Sequence, residues 1–162
     1  GRHGGRLVYG GGRNGLMGVL ADATLASGGS VVGIIPQSMV EREWGHTGCT
    51  ELHIVQTMHE RKRLMAERAD AFLALPGGIG TFEEFFEAWT WRQLGYHDKP
   101  VGLLNIAGYY DALLHFIDRA VGAGFMGKAQ TDLVQAGDDA ATLLPQLIES
   151  AGLPAPSRLE LS

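Results

Sequence analysis

Two carboxylates, Glu83 and Glu84, stand directly behind the glycine-rich run Pro76-Gly77-Gly78-Ile79-Gly80-Thr81-Phe82. That order joins a phosphate cradle to a built-in acid. Glycine lets the backbone approach an anionic ligand closely, and the free N–H groups that open a helix attract it. Two readings are open at this point. Thr81-x-x-Glu84 is either a capping box on a tight turn, or Glu84 is a catalytic carboxylate beside a bound phosphate. A second piece of the same kind lies upstream, where Gly10-Gly11-Gly12-Arg13-Asn14-Gly15 follows the apolar run Leu7-Val8-Tyr9. Its six residues match the dinucleotide fingerprint G-x-G-x-x-G. The acidic residue that would hold a ribose is missing, however, because Val31-Val32-Gly33-Ile34-Ile35 runs into Pro36-Gln37-Ser38, which disfavours a nicotinamide-dependent dehydrogenase. The only Gly-Lys pair, Gly127-Lys128, is followed by Ala129, so no triphosphate-binding loop is present and a kinase or ATPase is disfavoured too.

Between the two glycine turns, Met58-His59-Glu60-Arg61-Lys62-Arg63-Leu64-Met65-Ala66-Glu67-Arg68-Ala69 reads as a helix with an anomaly. Met58, Met65 and Ala69 share one stripe, and Arg61 and Lys62 flank it, while Glu60, Arg63 and Glu67 lie opposite. Two cations therefore point toward the packed side. A guanidinium taken out of water needs a partner to offset desolvation, and Arg suits planar contact with carboxylate or phosphate. For Lys62, a stem that snorkels over the core to end in water is an equal reading.

Taken together, Tyr9-Gly10-Gly11-Gly12-x-x-Gly15-Leu16-Met17-Gly18, Met58-His59-Glu60-Arg61-Lys62, the run from Pro76 to Glu84, Trp89-Thr90-Trp91-x-Gln93-Leu94-Gly95 and Lys99-Pro100-Val101-Gly102 resemble the LOG family. These are the cytokinin-activating nucleoside 5′-monophosphate phosphoribohydrolases, long labelled "possible lysine decarboxylase". The likeness spans nearly the whole chain in one order. It implies hydrolysis of the N-glycosidic bond of cytokinin riboside 5′-monophosphates, and of AMP, to free base and ribose 5-phosphate. It implies Arg61 and Glu84 as the catalytic pair. Substrate contacts carry over to Lys62, Gly77, Gly78, Ile79, Gly80, Thr81, Phe82, Glu83, Thr90 and Glu43, and the first turn adds Gly11 and Gly12. The resemblance also implies a homodimer with no cofactor. Relatives of this pattern open with one more strand, glycine/serine-rich turn and helix ahead of the segment that begins at Arg6, so the expectation is that the biological protein carries roughly 30 further residues before it. Without them a neighbouring strand would expose an apolar edge.

The chemistry agrees with those residue types. Departure of the base leaves positive charge on the ribose ring, which a carboxylate stabilises while orienting water. Glu84 fits that role, and a place in the first helical turn would favour its ionised form. Arg61 keeps its proton at any working pH, so it binds or hydrogen-bonds rather than donating a proton. The glycine N–H groups and the Thr81 hydroxyl would take the phosphate. The alternative is a non-hydrolytic nucleotide-binding or sensing module; a carboxylate beside the phosphate disfavours it. A true lysine decarboxylase would need pyridoxal phosphate on a lysine, and Lys62, Lys99 and Lys128 are the only lysines, with Lys62 already in the phosphate-site motif.

These groups have to be held by strands near Leu7, Val31, Leu52 to Val55, Phe72, Val101 and Leu133. Helices over Leu16 to Ser27, Met58 to Ala69, Phe82 to Gln93, Tyr109 to Ala123 and Ala140 to Ser150 alternate with them. Such alternation predicts a Rossmann-like α/β fold, a doubly wound, mostly parallel sheet flanked by helices, with ligands beyond the carboxyl ends of the strands. One domain over 1–153 and a loose tail over 154–162 are expected. On the helix after Thr81, Phe82, Phe85, Phe86 and Trp89 form an apolar stripe. Trp91 projects from the other side, as a second interface or under cover of its own chain. At 162 residues, 45% of them hydrophobic, and a net charge of −5, the chain is large enough for a packed core and carries no electrostatic case for nucleic acid or membrane. The single cysteine, Cys49, rules out an intrachain disulfide and fits the cytoplasm. The six histidines lack metal-ligand spacing, so no metal is expected.

Overall fold

In the computed structural model, residues 1–42 and 44–154 are described. Glu43 and the expected tail beyond Pro154 lie outside the described residues. The chain divides into two compact units, Gly1–Ala69 and the part from Asp70 onward. Each is a parallel sheet of three strands with helices packed on it.

The first unit runs β1 (Arg6–Tyr9), α1 (Gly15–Ala26), β2 (Ser30–Pro36), α2 (Gln37–Val40), β3 (Glu51–Val55) and α3 (Met58–Arg68). Its strands lie in the order β1-β2-β3, with Leu7 beside Val31 and Ile35 beside Ile54. The β2 sequence Ser-Val-Val-Gly-Ile-Ile-Pro is buried on both faces, which is why it reads as a continuous apolar run rather than an alternating one. Both α1 and α3 pack against it. The Gly28-Gly29 stop works as a Schellman cap. Gly28, at φ 80, donates to the Leu25 carbonyl, and Gly29 donates to that of Thr24, which satisfies the last carbonyls of α1. Tyr9, Ala21 and Val31 form the core of this unit, with Leu7, Leu25 and Cys49 against them.

The second unit runs β4 (Phe72–Ala74), α4 (Ile79–Gln93), β5 (Val101–Leu104), a 3-10 turn (Ile106–Gly108), α5 (Asp111–Gly122), α6 (Lys128–Thr131), β6 (Val134–Gly137) and α7 (Ala140–Ser150). Strand order is β4-β5-β6, all parallel. All four residues of β5 are buried. One side of this unit's core joins Phe85, Ala88 and Trp89 of α4 to Val101, Leu103, Tyr110 and Ile117. The other joins Leu104 to Leu143 and Leu147. Parallel strands alternating with helices make this a Rossmann-like α/β fold, with the six described strands shared between two sheets.

The structure revises the expected start of α4. The helix begins at Ile79, with Gly78 as its cap in extended backbone (φ −97°, ψ −155°), and Phe82 N–H closes the first turn on the Gly78 carbonyl. Thr81 is therefore inside the helix and caps nothing, so the Thr81-x-x-Glu84 capping box does not form. The same pattern does form a box at α3, where Thr57 accepts from Glu60 N–H and Glu60 accepts from Thr57 N–H. Sequence periodicity also gave no sign of the short helices α2 and α6. Each is one turn long, too short to show a hydrophobic period.

Candidate functional site

Arg61 is the only buried residue of α3, 8% exposed, so the inward-pointing cation read from the helical stripe is present. Its guanidinium reaches under the first glycine turn. Nε–H donates to the Ile34 carbonyl at 3.1 Å and a terminal N–H to the Gly10 carbonyl at 3.0 Å, and the other terminal nitrogen contacts Met58 Sδ at 3.3 Å. Carbonyl oxygens just past β1 and within β2 thus supply part of the compensation that burial demands. Lys62, next along α3, is half-buried.

The capping box sets where Arg61 starts its reach. The Glu60 carboxylate accepts from the N–H groups of Gln56 (2.9 Å) and Thr57 (3.0 Å), and those bonds hold it below the usual carboxylate range. The residue read as part of the solvated face is therefore the reciprocal cap of the helix that carries Arg61.

The first glycine turn is packed closely. Gly11, buried at φ 72, has Ile34 and Ile35 against the position a Cβ would take, and at Gly10 that position is filled by the Arg61 guanidinium. A strap formed by Trp44, Gly45 and His46 braces the turn. Arg13 N–H donates to the Trp44 carbonyl, His46 N–H donates to the Gly11 carbonyl, and Gly12 bridges Gly45. His46 is fixed in turn. Its Nδ1 accepts from Gly48 N–H, so Nε2 carries the proton and donates to Asp22 at 3.0 Å. Sequence reasoning left this segment unassigned, because no local period marks a strap. Glu43, the substrate contact expected just before it, is outside the described residues.

The second glycine turn leaves β4 and opens α4. Gly78, Ile79 and Gly80 are exposed, Gly77, Thr81 and Phe82 are half-buried, and the Thr81 side chain folds back over Gly77. Glu84 is the sixth residue of α4 and half-buried. It sits in the second turn rather than the first, because the helix starts earlier than expected, and the dipole at the helix start reaches it less. Glu83 and Thr90 are exposed and Trp91 is half-buried. Within this unit the structure brings Gly77 to Phe82, Glu83 and Glu84 onto one turn and the helix start behind it, while Thr90 lies near the far end of the same helix. Residues the sequence reading missed hold this turn from below: Tyr109 donates to the Gly77 carbonyl and Tyr110 to that of Leu75, each at 2.6 Å. Among the described residues no group of three His, Cys, Asp or Glu side chains is arranged to hold a metal ion, and no helix is long and apolar enough to cross a membrane.

Parallel strands alternating with helices, with a glycine turn after β1 and another after β4, define a Rossmann-like α/β protein. The family model described as "Possible lysine decarboxylase" matches residues 17–147, and the chain belongs to that family, the LOG family. It is 59% identical over 125 residues to a cytokinin riboside 5′-monophosphate phosphoribohydrolase of Rhodococcoides fascians, covering 76% of this chain and 63% of the relative. It is 52% identical over 143 residues to an Arabidopsis thaliana protein of the same name, covering 88% and 67%. A rice protein named as a probable enzyme of this kind is 50% identical over 143 residues, covering 88% and 63%. The chain therefore spans about two thirds of the length of the relatives it matches.

Proposed function

We propose that this protein is a nucleoside 5′-monophosphate phosphoribohydrolase that cleaves the N-glycosidic bond of cytokinin riboside 5′-monophosphates, and of AMP, to give free base and ribose 5-phosphate. The observation that carries this reading is the second glycine turn, which has exposed backbone at the start of a 15-residue helix with a half-buried carboxylate one turn behind it. The names of the relatives supply the substrate class.

In this reading the 5′-phosphate rests on the N–H groups that open α4, with the Thr81 hydroxyl adding a contact. As the base leaves, charge develops on the ribose ring, and the Glu84 carboxylate stabilises it and orients the attacking water. Arg61 acts as a permanently charged donor, already oriented by the Gly10 and Ile34 carbonyls, so little reorganisation is needed when charge shifts. The protein works in the cytoplasm as a homodimer, and light scattering on the purified full-length protein tests the dimer.

The activity is tested by chromatography of the full-length protein incubated with AMP or isopentenyladenosine monophosphate, beside Glu84→Gln. The expected result is free base and ribose 5-phosphate from the wild type, with turnover lower by roughly a hundred- to a thousandfold in the variant. Nucleotide that binds and stays intact in both would replace the hydrolase with a binding module.

A further inference from the structure

Beyond β5 the chain does not pass straight into α5. It makes a turn in which Ala107 adopts φ 53° and ψ 30°, the only non-glycine among the described residues at positive φ, followed by Gly108 at φ 71. An alanine there costs about 1–2 kcal/mol, and such strain persists only where the surroundings over-determine it. Three bonds do so. Asn105 N–H donates to the Gly137 carbonyl at 2.7 Å, the Asn105 amide oxygen accepts from Tyr110 N–H at 2.6 Å, and its Nδ2 donates to Asp111 at 2.8 Å.

This turn delivers two neighbouring phenols, edge to face with ring centroids 4.9 Å apart, to two carbonyls of the glycine motif. Their reasons differ. Tyr110 is 2% exposed, and a buried phenol must find a partner, so its bond to Leu75 follows from packing. Tyr109 is 51% exposed. Water could satisfy its hydroxyl, so burial does not account for its bond to Gly77.

We propose that Tyr109 is a positioning residue for the ligand-binding turn. By holding the Gly77 carbonyl it sets the plane of the Gly77–Gly78 peptide, and across a planar trans peptide the Gly78 N–H then points opposite to that carbonyl. The hydroxyl thereby aims one of the N–H groups offered to the substrate phosphate. This inference rests on the reading of the second turn as the phosphate site.

The test is calorimetry of AMP and of adenosine, which lacks the phosphate, with the full-length wild type, Tyr109→Phe and Tyr110→Phe. Thermal melts of all three accompany it. For Tyr109→Phe the preference for AMP over adenosine falls about five- to tenfold, the size of one hydrogen bond, while the melting midpoint stays near that of the wild type. Tyr110→Phe lowers the midpoint and leaves that preference largely in place. An unchanged preference in Tyr109→Phe overturns the proposal. Wild type that binds AMP without cleaving it defeats the hydrolase reading alone, since the preference still decides the role of Tyr109. Wild type that binds AMP no better than adenosine removes the phosphate site and this role with it.

Discussion

The two glycine turns look alike in sequence and differ in what requires their glycines. In the first, the molecule itself does. A side chain at Gly10 would displace the Arg61 guanidinium, and one at Gly11 would meet Ile34 N at 3.1 Å and Ile35 Cβ at 3.0 Å from a backbone already at φ 72. In the second, a Cβ at Gly78 or Gly80 would meet nothing within 4 Å, and neither residue has positive φ. No packing in the described chain asks for glycine there. The first turn is thus shaped around an internal arginine, whereas in the second only Gly77, under the Thr81 side chain, is closely packed and Gly78 and Gly80 face open space.

The largest break in that comparison should come from Gly11→Ala, which combines a left-handed alanine with a packed neighbour. Urea unfolding should show a loss of about 2–3 kcal/mol. Gly80→Ala should move the other way. Alanine inside a helix is favoured over glycine by about 0.5–1 kcal/mol, so stability rises while AMP affinity, read by calorimetry, falls. A Gly80→Ala protein that binds AMP as well as wild type would erase the distinction between the turns.

The anchoring of α4 at its other end adds a pH dependence. His97 packs against Phe72 with the rings tilted by 35° and pairs through Nε2 with the Ala88 carbonyl, so Nε2 carries the proton; Nδ1 is buried with no hydrogen-bond partner among the described residues. Burial lowers its pKa from the usual 6.5, and the nearby Lys99 and Arg92 charges push the same way. The unfolded chain therefore takes up the proton first. The stabilisation is full above pH 6.5 and drains away as pH falls from there through the depressed folded value. Urea midpoints between pH 8 and pH 5 should fall more steeply for wild type than for His97→Gln, by at most one proton's worth of slope. An effect as small as that of Gly80→Ala on stability belongs to Ala107→Gly, which relieves the left-handed alanine against the entropy that glycine adds. A gain of about 0.5–1 kcal/mol in urea unfolding is expected.

Much of this was legible in the residues. Apolar runs marked β2 and β5 most plainly, because strands buried on both faces leave no alternation to misread. The stripe of Met58 and Met65 put Arg61 on the inner side of α3. The start of α4 was misread because Thr-x-x-Glu occurs at both Thr57 and Thr81, and the pattern alone does not say which copy the backbone uses. Only Thr57 has the extended geometry of a cap. The support from Tyr109 was invisible for another reason. It depends on an alanine in a glycine-like conformation, held in part by the bond from Asn105 to Gly137 on the neighbouring strand, which no local window contains.

In both sheets every strand pairs with the strand that precedes it in the chain, β1-β2-β3 and β4-β5-β6. Each ladder can therefore close as soon as its own crossover has emerged, and none has to wait for a partner made much later. For parallel sheets, whose slow step is bringing separated segments together, that ordering shortens every search. It suits a chain that leaves the ribosome from one end, with each unit adding strands at a growing edge and exposing unpaired backbone only briefly.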